Sequence, residues 1–370
     1  MRQAEFNAKL ARIRAFLKEK NLNAVALSTQ ALFAWATAGG DNHVVMASDN
    51  GAATLLVMAD RVALLSTNIE NDRVRTEEFE GIDTTHIEFW LHAWHGAGGV
   101  EQELRRRLGD SGWASDSAAG PQKLGDDFLR LTYSLSPEEI ARYRKLGKDC
   151  SLALEEALDG IRPGKTERHV AGQICARALD RGVRPHVVLV AADERAYQVR
   201  HPIPKDKKIK KHVMGVLCGK RGGLIVALTR MVHFGRKLPD DLRRKHDAVC
   251  AVDVAFNSAT RPGAKVGDIF ARGVAEYVRQ EYGIQWTFHH QGGPTGYQGR
   301  SFLGKPNEER VVLLDQAFAW NPSIAGTKSE DTILAGADGI DFISSPSRAW
   351  PAVKVKSDGK TYRRADIKMG

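Results

Sequence analysis

Apolar residues recur at helical spacing at Phe6, Leu10, Ile13, Phe16 and Leu17, which predicts an opening helix buried along one face. Short apolar runs at Ala24–Leu27, Ala53–Met58 and Val62–Ser66 follow, separated by Gly, Asn and Asp turns, and read as strands. The stretch holding Trp90, His92, Trp94 and His95 reads as a loop or helix start with a packing role. The pattern breaks at 118–127 and restarts at Ser136, with Pro137 at the first helical position and acids in the first turn of a helix running to about Asp159. This places a boundary near 130 and predicts an N-terminal domain over 1–130 and a second domain over 131–370.

The second domain contains two segments of one pattern. Ile161–Glu167 (IRPGKTE) and Thr260–Asp268 (TRPGAKVGD) each combine Arg-Pro-Gly, a turn and an acidic helix start, and each leads into an amphipathic helix ending at Gly. The repetition predicts two related halves with a ligand cleft between them. Strand-like runs at Pro185–Ala191, Val213–Cys218, Gly223–Val232, Arg310–Trp320 and Ala325–Leu334 fill the intervals. Their order gives an α+β class with an antiparallel sheet rather than alternating βαβ units.

Composition narrows the function classes. The chain has 370 residues, 42% of them hydrophobic, and a formal charge of +9. The charge favours acidic or carboxylate ligands. Basic and acidic residues are interleaved nearly everywhere, which argues against nucleic acid as a partner. The densest basic run, Lys205–His212, reads as a solvated loop. Cys150, Cys175, Cys218 and Cys250 are widely spaced without a CxxC pair, so reduced thiols and a cytoplasmic location are expected. No apolar run reaches membrane-spanning length, and the charged N-terminus does not read as a secretory segment.

The densest chemistry lies in Phe288–Arg300, FHHQGGPTGYQGR, where His289, His290, Gln291, Tyr297 and Arg300 surround four glycines. Taken alone, the segment reads equally well as a tight turn between strands.

The segment Ser136–Glu167, the stretches YQVRHPIP (Tyr197–Pro204) and GGLIVALTR (Gly222–Arg230), the motif FHHQGGPTGY and the run NPSIAGTKSEDTIL (Asn321–Leu334) occur in an order that resembles the creatinase, prolidase and aminopeptidase P family. The resemblance covers about 130–350. It implies a C-terminal pita-bread domain of two related halves around a curved antiparallel sheet, a creatinase-like N-terminal domain and a homodimer. Metallopeptidases of this family bind two divalent ions through two Asp, one His and two Glu. Carried over by motif, the first Asp falls on Leu217 or Val216, the second on Ala227, the His on Gly293 and the first Glu on Asn321; only the last Glu is kept, as Glu330. One carboxylate does not hold two hard cations, so the expectation is no dinuclear centre, no metal and no cofactor. A single-metal site from His289, His290 and Glu330 stays open, without support from their spacing. Creatinase is the informative precedent, because it hydrolyses a carbon–nitrogen bond without a metal.

The expected function is a metal-independent hydrolase or lyase-type enzyme acting on a small C–N-bonded substrate that carries a carboxylate. His201, which matches the family's upstream active-site His, is the expected acid/base, with His289 and Glu330 as catalytic partners. Tyr197, Arg200, Arg230, His233, His290, Gln291, Tyr297, Arg300, Asn321 and Lys328 are the expected substrate-binding set, with Arg200 and Arg230 clamping a carboxylate. Lys328 beside Glu330 is expected to keep that carboxylate ionised, although a strand-end salt bridge explains the pair equally. The competing readings are a pseudoenzyme that uses the cleft to bind a peptide, metabolite or protein, and a metal-dependent Xaa-Pro peptidase.

Overall fold

The computed structural model describes residues 2–117 and 119–370. The chain divides into two compact units, Met1–Thr132 with Gly222–Leu224, and Tyr133–Arg221 with Ile225–Gly370. No helix among the described residues is long and apolar enough to cross a membrane.

In the first unit the opening helix, Arg2–Lys20, buries Phe6, Leu10, Ile13, Phe16 and Leu17, the apolar face set by the sequence period. The predicted strands form as Ala24–Thr29, Asn50–Met58 and Val62–Thr67 within a six-stranded mixed sheet. One expectation fails here. The stretch around Trp90 and His92 is a strand, Ile87–His92, paired parallel to Val62–Thr67. It buries only Ile87 and Trp90, three residues apart, so it lacks the two-residue alternation that marks a strand in sequence.

In the second unit, helix Pro137–Asp159 starts as the sequence predicts. Ser136 Oγ accepts from the Glu139 N–H, and the Glu139 carboxylate accepts from the Ser136 N–H. The two Arg-Pro-Gly segments then prove equivalent contact by contact. Gly164 N–H donates to Ile209 O and Gly263 N–H to Val312 O, each at 2.9 Å; Ile209 N–H donates to Lys165 O and Val312 N–H to Ala264 O, again at 2.9 Å. Gly164 and Gly263 both adopt positive φ, 93° and 84°, which only glycine enters freely. Helices Glu167–Leu179 and Val266–Arg279 follow the two turns. The repeat in sequence is therefore a repeat in structure, and the expected two-halved architecture is present.

Two four-stranded sheets support the site. One orders Gly292–Thr295, Gln316–Trp320, Asp331–Gly336 and Gly339–Phe342 antiparallel. The other holds Arg184–Ala192, His212–Arg221, Leu224–His233 and the short strand Ile367–Met369. Hydrogen bonds from Ile225 N–H to Gly296 O and from Thr229 N–H to Glu330 O join them. Helices Asp240–Ala259 and Val266–Arg279 cover the first sheet through a core of Phe256, Phe270, Phe318 and Trp320. Two predicted strands shrink. The run Arg310–Trp320 is extended only over Gln316–Trp320, and Ala325–Leu334 is broken by a hairpin, Ser323–Ile324 against Thr327–Lys328. Gly326 at φ 97° turns that hairpin.

Two buried histidines hold the hairpin from beneath. His246 Nε2 donates to Ala365 O at 3.0 Å and its Nδ1 meets Thr327 Oγ1 at 2.7 Å, while His212 Nε2 lies 3.1 Å from Gly326 O. Burial lowers both imidazoles to about 4. Below the free value of 6.5 the unfolded chain takes up protons that the native chain refuses, so stability falls as pH drops from 6.5 towards 4, where the loss is complete. Asp193 and His233 face His212, and Asp366, Arg243 and Cys250 face His246. For His212 alone the expected loss is roughly 3 kcal/mol. Urea unfolding at pH 7 and pH 4 measures it; a His212→Gln variant with an unchanged pH slope would contradict the assignment.

Candidate active site

The loop carrying His201 is fixed by its backbone neighbours. Val190 N–H donates to Pro202 O, Arg195 Nη2 donates to Ile203 O at 2.9 Å, and the fully buried Glu167 carboxylate accepts from Lys205 N–H at 2.9 Å and from Arg195 Nε at 2.8 Å. The basic run behind it is tied down as well: Asp193 accepts from the N–H groups of Lys210, Lys211 and His212 at 2.8, 2.7 and 2.9 Å. His201 is thus an exposed imidazole on a rigid loop.

Three imidazoles meet there. His289 Nε2 lies 3.1 Å from His201 Nε2, and its Nδ1 lies 3.2 Å from Ser323 Oγ. The His290 ring is 4.7 Å from that of His289 and 5.5 Å from that of His201, centre to centre. Gly292 N–H donates to His290 Nδ1 at 3.3 Å. Burial, followed by the ammonium of Lys328, holds His289 far below the ordinary imidazole range. His290 is lowered to about 4 by burial and then by Arg300. His201 is lowered by partial burial and Lys328, with Glu330 opposing. All three are neutral at pH 7, so the His201–His289 contact is one N–H donating to one lone pair.

Glu330 sits under cations. Lys328 Nζ is 2.7 Å from its Oε2, Arg300 Nη2 is 3.2 Å from its Oε1, and Thr229 Oγ1 donates at 2.8 Å. Burial alone would raise this carboxyl, but Lys328 and Arg300 outweigh it and hold the group below the usual carboxylate range. Arg200 donates to Gln285 Oε1 at 2.6 Å and Ser323 Oγ at 3.3 Å, and no ion pair with a carboxylate is found for it among the described residues. Burial lowers its guanidinium. Arg300 Nε, Asn321 Oδ1 and His233 Nδ1 are buried without a hydrogen-bond partner among the described residues.

The other expected binding residues divide into supports and outliers. Gln291 braces the turn, accepting from Tyr277 Oη at 3.0 Å and donating to Trp286 O and His289 O. Tyr297 Oη donates to Glu139 at 2.7 Å. The Tyr197 ring packs on Gly326, where an added Cβ would come within 2.4 Å of it. His233 has its ring contact with His212, 5.9 Å away. Arg230, expected in the carboxylate clamp, is fully buried and committed to Glu155 at 3.0 Å and Asp331 at 3.1 Å. An arginine with no exposed face and two carboxylates already on it cannot take a substrate carboxylate, so of the expected pair only Arg200 is without a carboxylate among the described residues. Ser323, which bridges His289 and Arg200, was not anticipated. Its signal was its position directly after Asn321-Pro322.

The positions where the resemblance puts metal ligands do not fit a dinuclear centre. Val216, Leu217 and Ala227 are buried apolar side chains. Both the N–H and the C=O of Ala227 are taken by Thr332 Oγ1. Gly293 has φ 149°, and a Cβ there would lie 2.6 Å from Phe302 O and 2.9 Å from Gly304 N, so no imidazole can be accommodated. Asn321 offers a neutral oxygen, and the one carboxylate, Glu330, is occupied by Lys328 and Arg300.

Comparison with known proteins bears on the fold and the lineage. The Xaa-Pro dipeptidase of Lactobacillus delbrueckii subsp. lactis is 23% identical over 266 residues, 69% of this chain and 70% of that protein. Among solved structures, an Xaa-Pro dipeptidase from Bacillus anthracis superposes with a TM-score of 0.76 at 16% identity, covering 98% of this chain and 99% of the other. The prolidase from Pyrococcus horikoshii OT3 superposes with a TM-score of 0.74 at 17% identity over 92% and 99% of the two chains. At such identity the superpositions establish the fold, which is the pita-bread architecture of those enzymes. Residues 141–337, more than half of the chain, match metallopeptidase family M24, and the chain belongs to that family of hydrolases.

Proposed function

We propose that this M24 hydrolase works without the family's dinuclear metal centre, cleaving a carbon–nitrogen bond in a small substrate that carries a carboxylate. The observation that carries the reading is the 3.1 Å contact between His201 and His289 Nε2, in neutral imidazoles beside an arginine with no carboxylate partner. In this scheme the carboxylate of the substrate sits on Arg200. His201 takes a proton from water as the oxygen attacks the electrophilic carbon; it returns the proton to the departing nitrogen as the C–N bond breaks. His289, anchored to Ser323, fixes the orientation and tautomer of His201. Glu330 acts at a distance, balancing Lys328 and Arg300 rather than touching the substrate.

The reading predicts that exhaustive chelation leaves turnover unchanged when the protein is screened against N-acyl and N-amidino amino acids and Xaa-Pro dipeptides. Loss of activity on chelation, restored by manganese or cobalt with Xaa-Pro cleavage, would return the chain to the metal-dependent peptidases. A second reading, a cleft that binds without turnover, is favoured by one observation: the Glu330 carboxylate is masked by two cations. Saturable binding without turnover that survives His201→Ala supports that reading.

A further inference from the structure

We infer that His201, His289 and His290 bind one borderline divalent ion of the zinc or copper type, and that its binding blocks the proton transfers proposed above; only the blocking rests on that reading. One ring nitrogen from each residue lies within 4.8 Å of the others. Two imidazole nitrogens at about 2.0–2.1 Å from a tetrahedral zinc are separated by roughly 3.3 Å, and His201 and His289 already present theirs at 3.1 Å. Their approach needs little movement. The third ring sits close against both, and its Gly292 contact at 3.3 Å is long and readily given up.

This trio differs from the set of His289, His290 and Glu330 left open in the sequence. Glu330 is absent from it, held by Lys328, Arg300 and Thr229, and His201 arrives from the other half of the repeat. Three protein nitrogens leave a fourth position for water, the ligand count of an open zinc site. The surrounding charge decides which ions qualify. Arg200, Arg300 and Lys328 outnumber Glu330, so hard cations that rely on anionic oxygen are repelled, whereas zinc, copper and nickel bond to neutral imidazole lone pairs. The ion selectivity is therefore opposite to that of a carboxylate-built centre. The N–H shared between the two Nε2 atoms shifts to an Nδ1 when the ion takes both lone pairs.

The test uses the full chain, free of any affinity tag, stripped with chelator and dialysed. Zinc is titrated by calorimetry and cobalt by visible absorption. The expected result is one zinc per chain, cobalt d–d bands of nitrogen coordination, no uptake of magnesium or calcium, and an affinity lowered at least about tenfold by His201→Ala. His201 is exposed, so this variant folds; His290→Ala gives an independent check. Absence of zinc uptake, or uptake indifferent to both substitutions, overturns the site. Zinc that binds through these residues and raises activity upholds the site, and overturns both the blocking and the metal-independent reading.

Discussion

Replacing His201 with alanine lowers kcat by about 10²- to 10⁴-fold, the usual contribution of a general acid/base, while the unfolding temperature stays within about a degree of the parent. The second half follows from the loop, which is held by Pro202 O, Ile203 O and Lys205 N–H and not by the His201 ring. Among the described residues the one side chain hydrogen-bonded to that ring is His289. Arg200→Ala behaves differently, raising KM with a smaller change in kcat, because it removes a binding contact and leaves the proton shuttle in place. The pH profile gives a further signature. His201 is depressed below 6.5 by partial burial and by Lys328, so its basic form persists through neutrality, and activity declines only on the acid side of 6.5. A His201→Ala variant that keeps full turnover excludes the residue from the chemistry.

Which parts of this site could be read in sequence depended on whether the signal was local. Ser136, Pro137 and Glu139 announce a helix start through neighbours one to three residues apart, and the capping box forms. The two Arg-Pro-Gly turns repeat their residues, and they repeat their hydrogen bonds. Adjacent His289 and His290 are visible as a pair. Pairing across the chain is not visible in this way. That His201 would meet His289 followed from family resemblance and not from spacing, and nothing local separates Arg230, buried under Glu155 and Asp331, from Arg200, which keeps donors to spare. Both are arginines beside strands or turns. The C-terminal hairpin, Ala352–Ser357 against Lys360–Ala365, has only a short signal, Val353 and Val355 alternating with Lys354 and Lys356, and its second strand, rich in Lys and Arg, continues no such alternation. Its turn was nonetheless marked, by Asp358-Gly359. The hairpin supplies Arg364, which pairs with Asp253 and with Asp331, the neighbour of Glu330.

Arg364→Ala is expected to destabilise the C-terminal unit by about 3–5 kcal/mol, the range for breaking a buried ion pair from one side. Arg364 is fully buried, 2.6 Å from Asp253 Oδ2 and 3.0 Å from Asp331 Oδ2. Asp331 also pairs with Arg230, which pairs with Glu155, so the network holds three carboxylates against two guanidinium groups. Without Arg364 the excess of negative charge doubles, and Asp253 keeps only neutral donors, Ser329 Oγ and Asn257 Nδ2. Burial already raises the Asp253 carboxyl, and losing the guanidinium removes the main influence opposing that rise. The variant therefore takes up a proton on Asp253 and regains part of its stability as pH falls. Adding Asp253→Asn neutralises the stranded charge, so the double variant is more stable at pH 7 than Arg364→Ala alone. Denaturant unfolding of the four corners of this cycle checks the claim, and simple additivity would refute the coupling. Asp331 directly follows Glu330, so the same variant also loosens the strand that holds Glu330 against Lys328 and Arg300. Activity should then fall further than the population of folded protein accounts for, which separates a network that positions the site from one that only stabilises the fold.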